Sequence, residues 1–348
     1  MDTIQYEAMS DEQVTLKAIN IFYDRYPEYE KRYGEKGRKR AYKDWMYHLS
    51  YLSSAINIQE SNLFLDYVAW CKMFFKSIHF PEVYLIASFE ILADIYEQDN
   101  SDYGRTAYQY LSKVLERFPS LPNEINPFIQ ENSELGVMAQ QYLNSLLRGE
   151  RNYAEKIIFD AIEKGIFVKD IYLKIFQPVQ YEVGRLWQLN VINVAMEHFC
   201  TAATQNIIAR LYSHIFTGQK GNKKLISTSV SGELHELGIR MVTDFFEMEG
   251  WDTYYLGANT PHDSIIAMIE NVKPDIIAVS ATIAFNVDRV RELIFKIREN
   301  VSYNDYRIIV GGYPFNKNEY LWETVGADSF AINAEDAILS AQKLIDVR

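Results

Sequence analysis

The chain has 348 residues, of which 48% are hydrophobic, 24% charged and 14% aromatic, the balance of a globular protein with two or three domains, each long enough to bury its own core. A formal net charge of -12 argues against nucleic acid as the main partner, and the two cysteines, Cys71 and Cys200, imply no disulfide framework. No apolar run is long enough to cross a bilayer and the opening residues do not read as a secretory signal, so a cytoplasmic protein with no membrane partner is expected.

Residues 1–118 read as a helical domain, with apolar residues recurring near every 3.6 positions over 11–23, 43–58, 62–77 and 81–97. The third of these carries Phe64, Tyr67, Trp70, Phe74 and Phe75. A connector over 118–127, with Pro119, Pro122 and Pro127, reads as a domain boundary. Residues 133–217 form a second helical block with segments at 135–147, 152–163, 168–189 and 194–216, for which Asn152 and Asn193 are candidate N-caps. Four helices with short joints are most economically arranged as a bundle. Residues 224–348 alternate strand (225–230, 253–256, 276–280, 307–310, 329–332) with helix (239–248, 263–271, 287–299, 318–324 and after 335). The expected fold class is therefore multidomain α and α/β: an N-terminal helical domain, a four-helix bundle, and a flavodoxin- or Rossmann-like doubly wound parallel sheet.

Three loops at the carboxyl ends of these strands carry the residues of chemical interest, because open α/β sheets bind ligands in that crevice. The first reads Glu233-Leu234-His235-Glu236-Leu237-Gly238, the next Ser280-Ala281-Thr282, and the last Gly311-Gly312. A metal-binding imidazole wants its second nitrogen held by a carboxylate, which Glu233 supplies two residues away. Small residues on neighbouring loops open a slot down the sheet's edge and let a ligand approach the backbone. In order and in context, these motifs resemble the cobalamin-binding domain of methionine synthase and its relatives, with their Asp-x-His-x-x-Gly, Ser-x-Leu or Ser-x-Thr, and Gly-Gly. The resemblance implies that His235 is the lower cobalt ligand in place of the cofactor's own dimethylbenzimidazole. It implies too that Leu234 and Gly238 border the cofactor, and that the displaced tail lies along Ser280, Thr282, Gly311 and Gly312. A relay from His235 through Glu233 to Ser280 is also implied, although Glu stands here where most members have Asp.

The bundle contains Val183-Gly184-Arg185-Leu186-Trp187, followed after nine intervening residues by Glu197-His198. By residue type alone these are a core aromatic and an exposed helix start. Their spacing resembles the cap of CarH-type light-sensing repressors, which implies adenosylcobalamin, with Trp187 packed on the adenosyl group and Glu197 and His198 holding it and the corrin rim. Those proteins have a His immediately after the Trp; here it is Gln188. The resemblance implies a light sensor in which loss of the adenosyl group moves the cap and changes a homo-oligomer or a contact with a signalling protein. The alternative is a corrinoid carrier that shuttles methyl groups between partner methyltransferases. A third reading, the cobalamin subunit of a radical mutase, needs a separate barrel for its substrate.

In the first block, Tyr47-His48 with Tyr51, and Phe64 with Asp66, Tyr67, Trp70 and Cys71, resemble the helical domain that precedes cobalamin modules in photocobilins. That implies biliverdin as a second chromophore, lined by His48, Asp66, Tyr67 and Trp70, with the basic run Lys36 to Arg40 meeting its propionates and Cys71 available for a thioether. The same residues also suit a plain dimerisation or signalling bundle.

Overall fold

The structure, a computed structural model, describes residues 9–215, 221–303 and 305–346. The opening residues, Phe216 and residue 217 at the expected end of the bundle, and the last two residues of the expected sheet domain lie outside the described residues. The chain divides into two compact units, Met1–Glu124 and Ile125–Arg348. No helix among the described residues is long and apolar enough to cross a membrane.

The first unit is helical. Helix α1 (Asp11–Arg25) starts in a capping box, the Ser10 hydroxyl accepting from the Gln13 amide while the Gln13 side chain accepts from the Ser10 N–H. Helix α2 (Pro27–Ile58) begins well before residue 43, with proline in its first turn and a single break at Gly34, whose φ of 56° and ψ of -155° leave the helical region. Helices α3 (Ser61–Ser77) and α4 (Glu82–Glu97) follow, and Phe64, Phe89, Leu49 and Leu52 are fully buried between them. Helix α5 (Asp102–Arg117) was not expected from the apolar spacing. Its inner stripe is Gly104, Ala107, Leu111 and Val114, a correct helical period in which only the last two are large apolar residues.

The second unit opens with the bundle: α6 (Glu134–Leu147), α7 (Arg151–Glu163), α8 (Val168–Ile171) and α9 (Gln177–Gln188), the last two joined by a π turn over Tyr172–Phe176, then α10 (Val194–Ile215). Asn193 caps α10, accepting from the Met196 N–H at 2.9 Å. Asn152 does not cap α7: the helix starts at Arg151, where the Glu150 carbonyl already accepts from Ala154.

The sheet that follows is all parallel, in the expected doubly wound order β2-β1-β3-β4-β5. Its strands are β1 (Lys224–Ser229), β2 (Asp252–Tyr255), β3 (Ile276–Ser280), β4 (Arg307–Gly311) and β5 (Ser329–Ala331). The central β3 is buried at every position, which is why it reads as an unbroken apolar run. Crossovers are made by α11 (Leu237–Met248), α12 (His262–Val272) and α13 (Val287–Asn300); α14 (Tyr313–Lys317), α15 (Leu321–Thr324) and α16 (Ala334–Asp346) complete the chain. The helix expected over 318–324 is the short α15, which starts at Leu321, and the short α14 before it was not expected. Asn318 is extended and its side-chain oxygen accepts from the Tyr320 N–H, turning the chain between them. One core runs from bundle to sheet, through Tyr142 and Phe176 to Phe245 and Ile276. The Tyr172 hydroxyl in the π turn donates to Asp244 on α11 at 2.8 Å.

Candidate functional site

Strand order reverses about β1, so the loops after β1 and β3 part at the sheet's carboxyl edge. The β1–α11 loop crosses that edge, tied down from several sides. Asn259 accepts from the Gly232 N–H at 2.7 Å, its own N–H reaches the Glu233 carbonyl at 3.0 Å, and the Ser229 hydroxyl donates to the His235 carbonyl at 3.3 Å. At the centre the Glu233 side chain is 0% exposed and accepts from five donors: the His235 N–H (3.0 Å) and Nδ1 (2.5 Å) on Oε1, and the Thr282 N–H (2.8 Å), Ile283 N–H (3.0 Å) and Asn286 Nδ2 (3.0 Å) on Oε2. Burial pushes this carboxyl up, but the hydrogen bond and charge of His235 and the backbone donors outweigh it and hold it at about 2. The bond to Glu233 in turn raises the His235 pKa against the effect of burial.

An ionised carboxylate only accepts, so Nδ1 of His235 carries the proton, and in the neutral ring the lone pair lies on Nε2. The His235 side chain is 56% exposed and Leu234 beside it is 74% exposed. The loop therefore presents an oriented imidazole edge and an apolar side chain outward. Gly238, at the start of α11, is exposed, and a Cβ added there would meet nothing within 4 Å.

One expected feature differs. The relay does not run to Ser280, which is not among the partners of Glu233. With its longer side chain, Glu233 accepts instead from the amides of Thr282 and Ile283 and from Asn286, at the end of a 3-10 turn (Ala284–Asn286). The glycine pair packs closely against neighbouring backbone. Gly312 has φ of +109° and a Cβ on it would lie 2.0 Å from the Ala281 carbonyl oxygen, while one on Gly311 would lie 3.1 Å from that of Ala331. Ser280 is buried, and Thr282, Gly311 and Gly312 are half-buried.

The cap residues expected from sequence fall on α9 and α10 of the bundle. Trp187 is half-buried near the end of α9, and one turn before it Gly184 has nothing within 4 Å of an added Cβ. Gln188 is buried, with 5% exposure, and so is withdrawn from this surface. On α10, Glu197 pairs with the 74% exposed His198 at 2.5 Å and accepts from the Thr201 hydroxyl at 3.0 Å. Its charge also contributes to the raised pKa of His235, which sets Glu197 near the sheet's histidine. Sequence reasoning missed the strut beside them, Gln205 Nε2 of α10 donating to Glu236 at 3.0 Å while Glu236 accepts from the Ala258 N–H at 3.2 Å. It also missed Asn286.

In the first unit only part of the expected cleft is assembled. His48 Nδ1 and the Tyr67 hydroxyl are 2.8 Å apart, both residues are buried, and Tyr67 stacks on Tyr51 at 3.6 Å. Asp66 is exposed, because the residue before an inward-facing Tyr67 points out of a helix, and half-buried Trp70 stacks on Phe74. Of the basic run, Arg38 lies 4.3 Å above the Tyr23 ring and donates to Asn20. Burial pushes the Cys71 thiol up to about 12, the opposite of what thioether formation needs.

Residues 223–341 match a family described as the B12 binding domain, and residues 138–212 match a second family also described as a B12 binding domain. A corrinoid protein of Desulfitobacterium hafniense (strain Y51) is 28% identical over 123 residues, 35% of this chain and 56% of that protein, so the match spans about half the length of that relative. A dimethylamine corrinoid protein of Methanosarcina barkeri is 25% identical over 170 residues, 48% of this chain and 76% of the relative. The structure of a monomethylamine corrinoid protein of Methanosarcina barkeri aligns with a TM-score of 0.53 at 18% identity, covering 61% of this chain and 99% of that one, and shows the same fold of helices and parallel sheet. Together these matches support a cobalamin-binding protein.

Proposed function

We propose that this protein is a corrinoid carrier, holding cobalamin with its dimethylbenzimidazole displaced and presenting it in turn to partner methyltransferases. The observation that carries the reading is the Glu233–His235 pair, a buried ionised carboxylate fixing the tautomer of an outward imidazole beside an open glycine. The relatives, both corrinoid proteins, support a carrier over an enzyme. Bound here, the cofactor would supply a cobalt centre able to take up and give up a methyl group. The chain's part is to hold it: His235 would offer Nε2 from the sheet, Leu234 and Gly238 would border the ring, and Ser280, Thr282, Gly311 and Gly312 would flank the displaced tail. Trp187, Glu197 and His198 would stand over the opposite face and exclude water from it. The working compartment on this reading is the cytoplasm.

The test is titration of the full chain with hydroxocobalamin and methylcobalamin, followed by absorption. Stoichiometric uptake with a base-off, His-on spectrum, lost in His235→Ala, is the expected result. Uptake that is the same in His235→Ala would sink the ligand assignment.

One arrangement favours a second reading, a light sensor using adenosylcobalamin. The Glu197–His198 pair is formed on the bundle, in a chain that also carries Trp187 with the spacing of the light-sensing caps, and residues 1–124 lie outside both B12 matches. Green light on the adenosylcobalamin-loaded protein, monitored by light scattering, separates the readings: a sensor changes its oligomer or partner contact, a carrier does not. Biliverdin added in the dark tests the second chromophore through a shifted red band.

A further inference from the structure

Asn286 is fully buried where the 3-10 turn meets α13, between the Glu233 carboxylate and the Arg289 guanidinium. Chemistry fixes which way its amide faces. A carboxylate only accepts and a guanidinium only donates, so Nδ2 must face Glu233 Oε2, at 3.0 Å, and Oδ1 must face Arg289 Nη1, at 3.2 Å. The same Nη1 donates to the Ser231 carbonyl at 2.8 Å, at the entrance to the histidine loop. Between these contacts sits Gly232, with φ of +81°, and a Cβ on it would lie 1.6 Å from that nitrogen. The first turn of α13 thus grips the loop at its backbone and at its buried carboxylate, and glycine is the residue that admits the arginine.

We infer that Asn286, oriented by Arg289, is the positioning residue that holds the Glu233–His235 pair for metal ligation, in place of a hydroxyl relay through Ser280. The inference rests on the cobalamin reading of His235 and adds to it the residues that aim the ligand. A serine hydroxyl rotates and can donate or accept. An amide clamped at both ends only donates toward Glu233, so the carboxylate is kept as an acceptor and cannot swing away from the imidazole. Removing an outer partner of this kind typically weakens metal affinity by about 10–100-fold.

The test uses the full chain as wild type, Asn286→Ala, Arg289→Met and His235→Ala, each titrated with hydroxocobalamin. The apo-proteins are also compared by nitrogen NMR of the histidine rings, which reads the His235 tautomer without any cofactor. Asn286→Ala is expected to lose about tenfold or more in affinity, to shift the bound spectrum toward that of His235→Ala, and to erode the Nδ1–H tautomer in the apo-protein. Arg289 is exposed, so Arg289→Met leaves the core intact and is expected to move all three readouts in the same direction by less. Should Asn286→Ala fail to fold, Arg289→Met decides alone. Wild-type tautomer and spectrum in whichever of Asn286→Ala and Arg289→Met fold would overturn the positioning role while leaving the cobalamin reading standing. Failure of the wild type to take up hydroxocobalamin would remove that reading, and this inference with it.

Discussion

At the scale of single residues, the chemistry of the site is concentrated in one buried carboxylate. Glu233 satisfies donors from its own loop, from the next strand's loop and from Asn286, so truncating it strands several buried N–H groups at once. Glu233→Ala is expected to destabilise the apo-protein by about 3 kcal/mol in urea unfolding, the usual consequence of breaking a buried, hydrogen-bonded charge. A loss below about 0.5 kcal/mol, the range of ordinary surface substitutions, would contradict the network. The motif itself was legible in the sequence, because Glu233, His235 and Gly238 lie within six residues of one another. Asn286 was not, because it meets Glu233 across 53 positions and nothing in a lone asparagine announces a distant carboxylate.

At the scale of elements, the sheet was readable because its strands are apolar and evenly interrupted, with β3 buried from end to end. Helix α5 escaped because its buried stripe opens with Gly104 and Ala107 and leaves only Leu111 and Val114 as large apolar markers, and α14 escaped because five residues are too few to show a helical period. The π turn between α8 and α9 was equally invisible, yet it places Tyr172 against Asp244 and fastens the bundle to α11. Burial pushes the Asp244 carboxyl up to about 6, opposed by the Tyr172 hydrogen bond and Arg240. A folded pKa above the ordinary 3.8 means that the stability linked to this proton is fully present below 3.8 and lost as pH rises through about 6. Tyr172→Phe removes a donor that matters most once the carboxylate is charged. It is expected to cost about 1–2 kcal/mol at pH 7 and clearly less at pH 5, measured by urea unfolding at both values. Equal costs at the two pH values would show that the hydroxyl does not serve the charged form. On α9, Trp187 is half-buried one turn beyond the open Gly184, and on the carrier reading it would stand over the cofactor's upper face, away from the lower ligand. Trp187→Ala is therefore expected to change cobalamin affinity by less than about threefold while making the bound cofactor's upper face more open to exchange with added cyanide.

At the scale of the whole molecule, the question is where the cofactor-holding part begins, and the side chains that anchor the connector answer it. On one side, Lys72 is buried and donates to the carbonyls of Phe118 and Leu121, at 2.9 and 3.2 Å, and Lys76 donates to that of Asn123, so the connector as far as Asn123 belongs to the first unit. On the other side, Glu182 accepts from the Phe128 N–H at 3.0 Å, and its partner Arg185 reaches the Ile125 carbonyl at 3.5 Å, so the chain from Ile125 onward belongs to the bundle. The prolines read from sequence placed the boundary over 118–127, but only these long-range polar contacts locate the join between Glu124 and Ile125. Both B12 matches fall after that join. A fragment of residues 125–348 should therefore unfold in a single cooperative transition and bind hydroxocobalamin within about threefold of the full chain's affinity. A fragment beginning at residue 133 should bind less well, because it leaves the carboxylate of Glu182 without its Phe128 donor and the Arg185 guanidinium without the Ile125 carbonyl. Equal binding by the two fragments would make the connector a passive tether. Loss of binding in 125–348 itself would mean that the aromatic N-terminal unit is required for the site, which would turn the balance of the two functional readings toward the sensor.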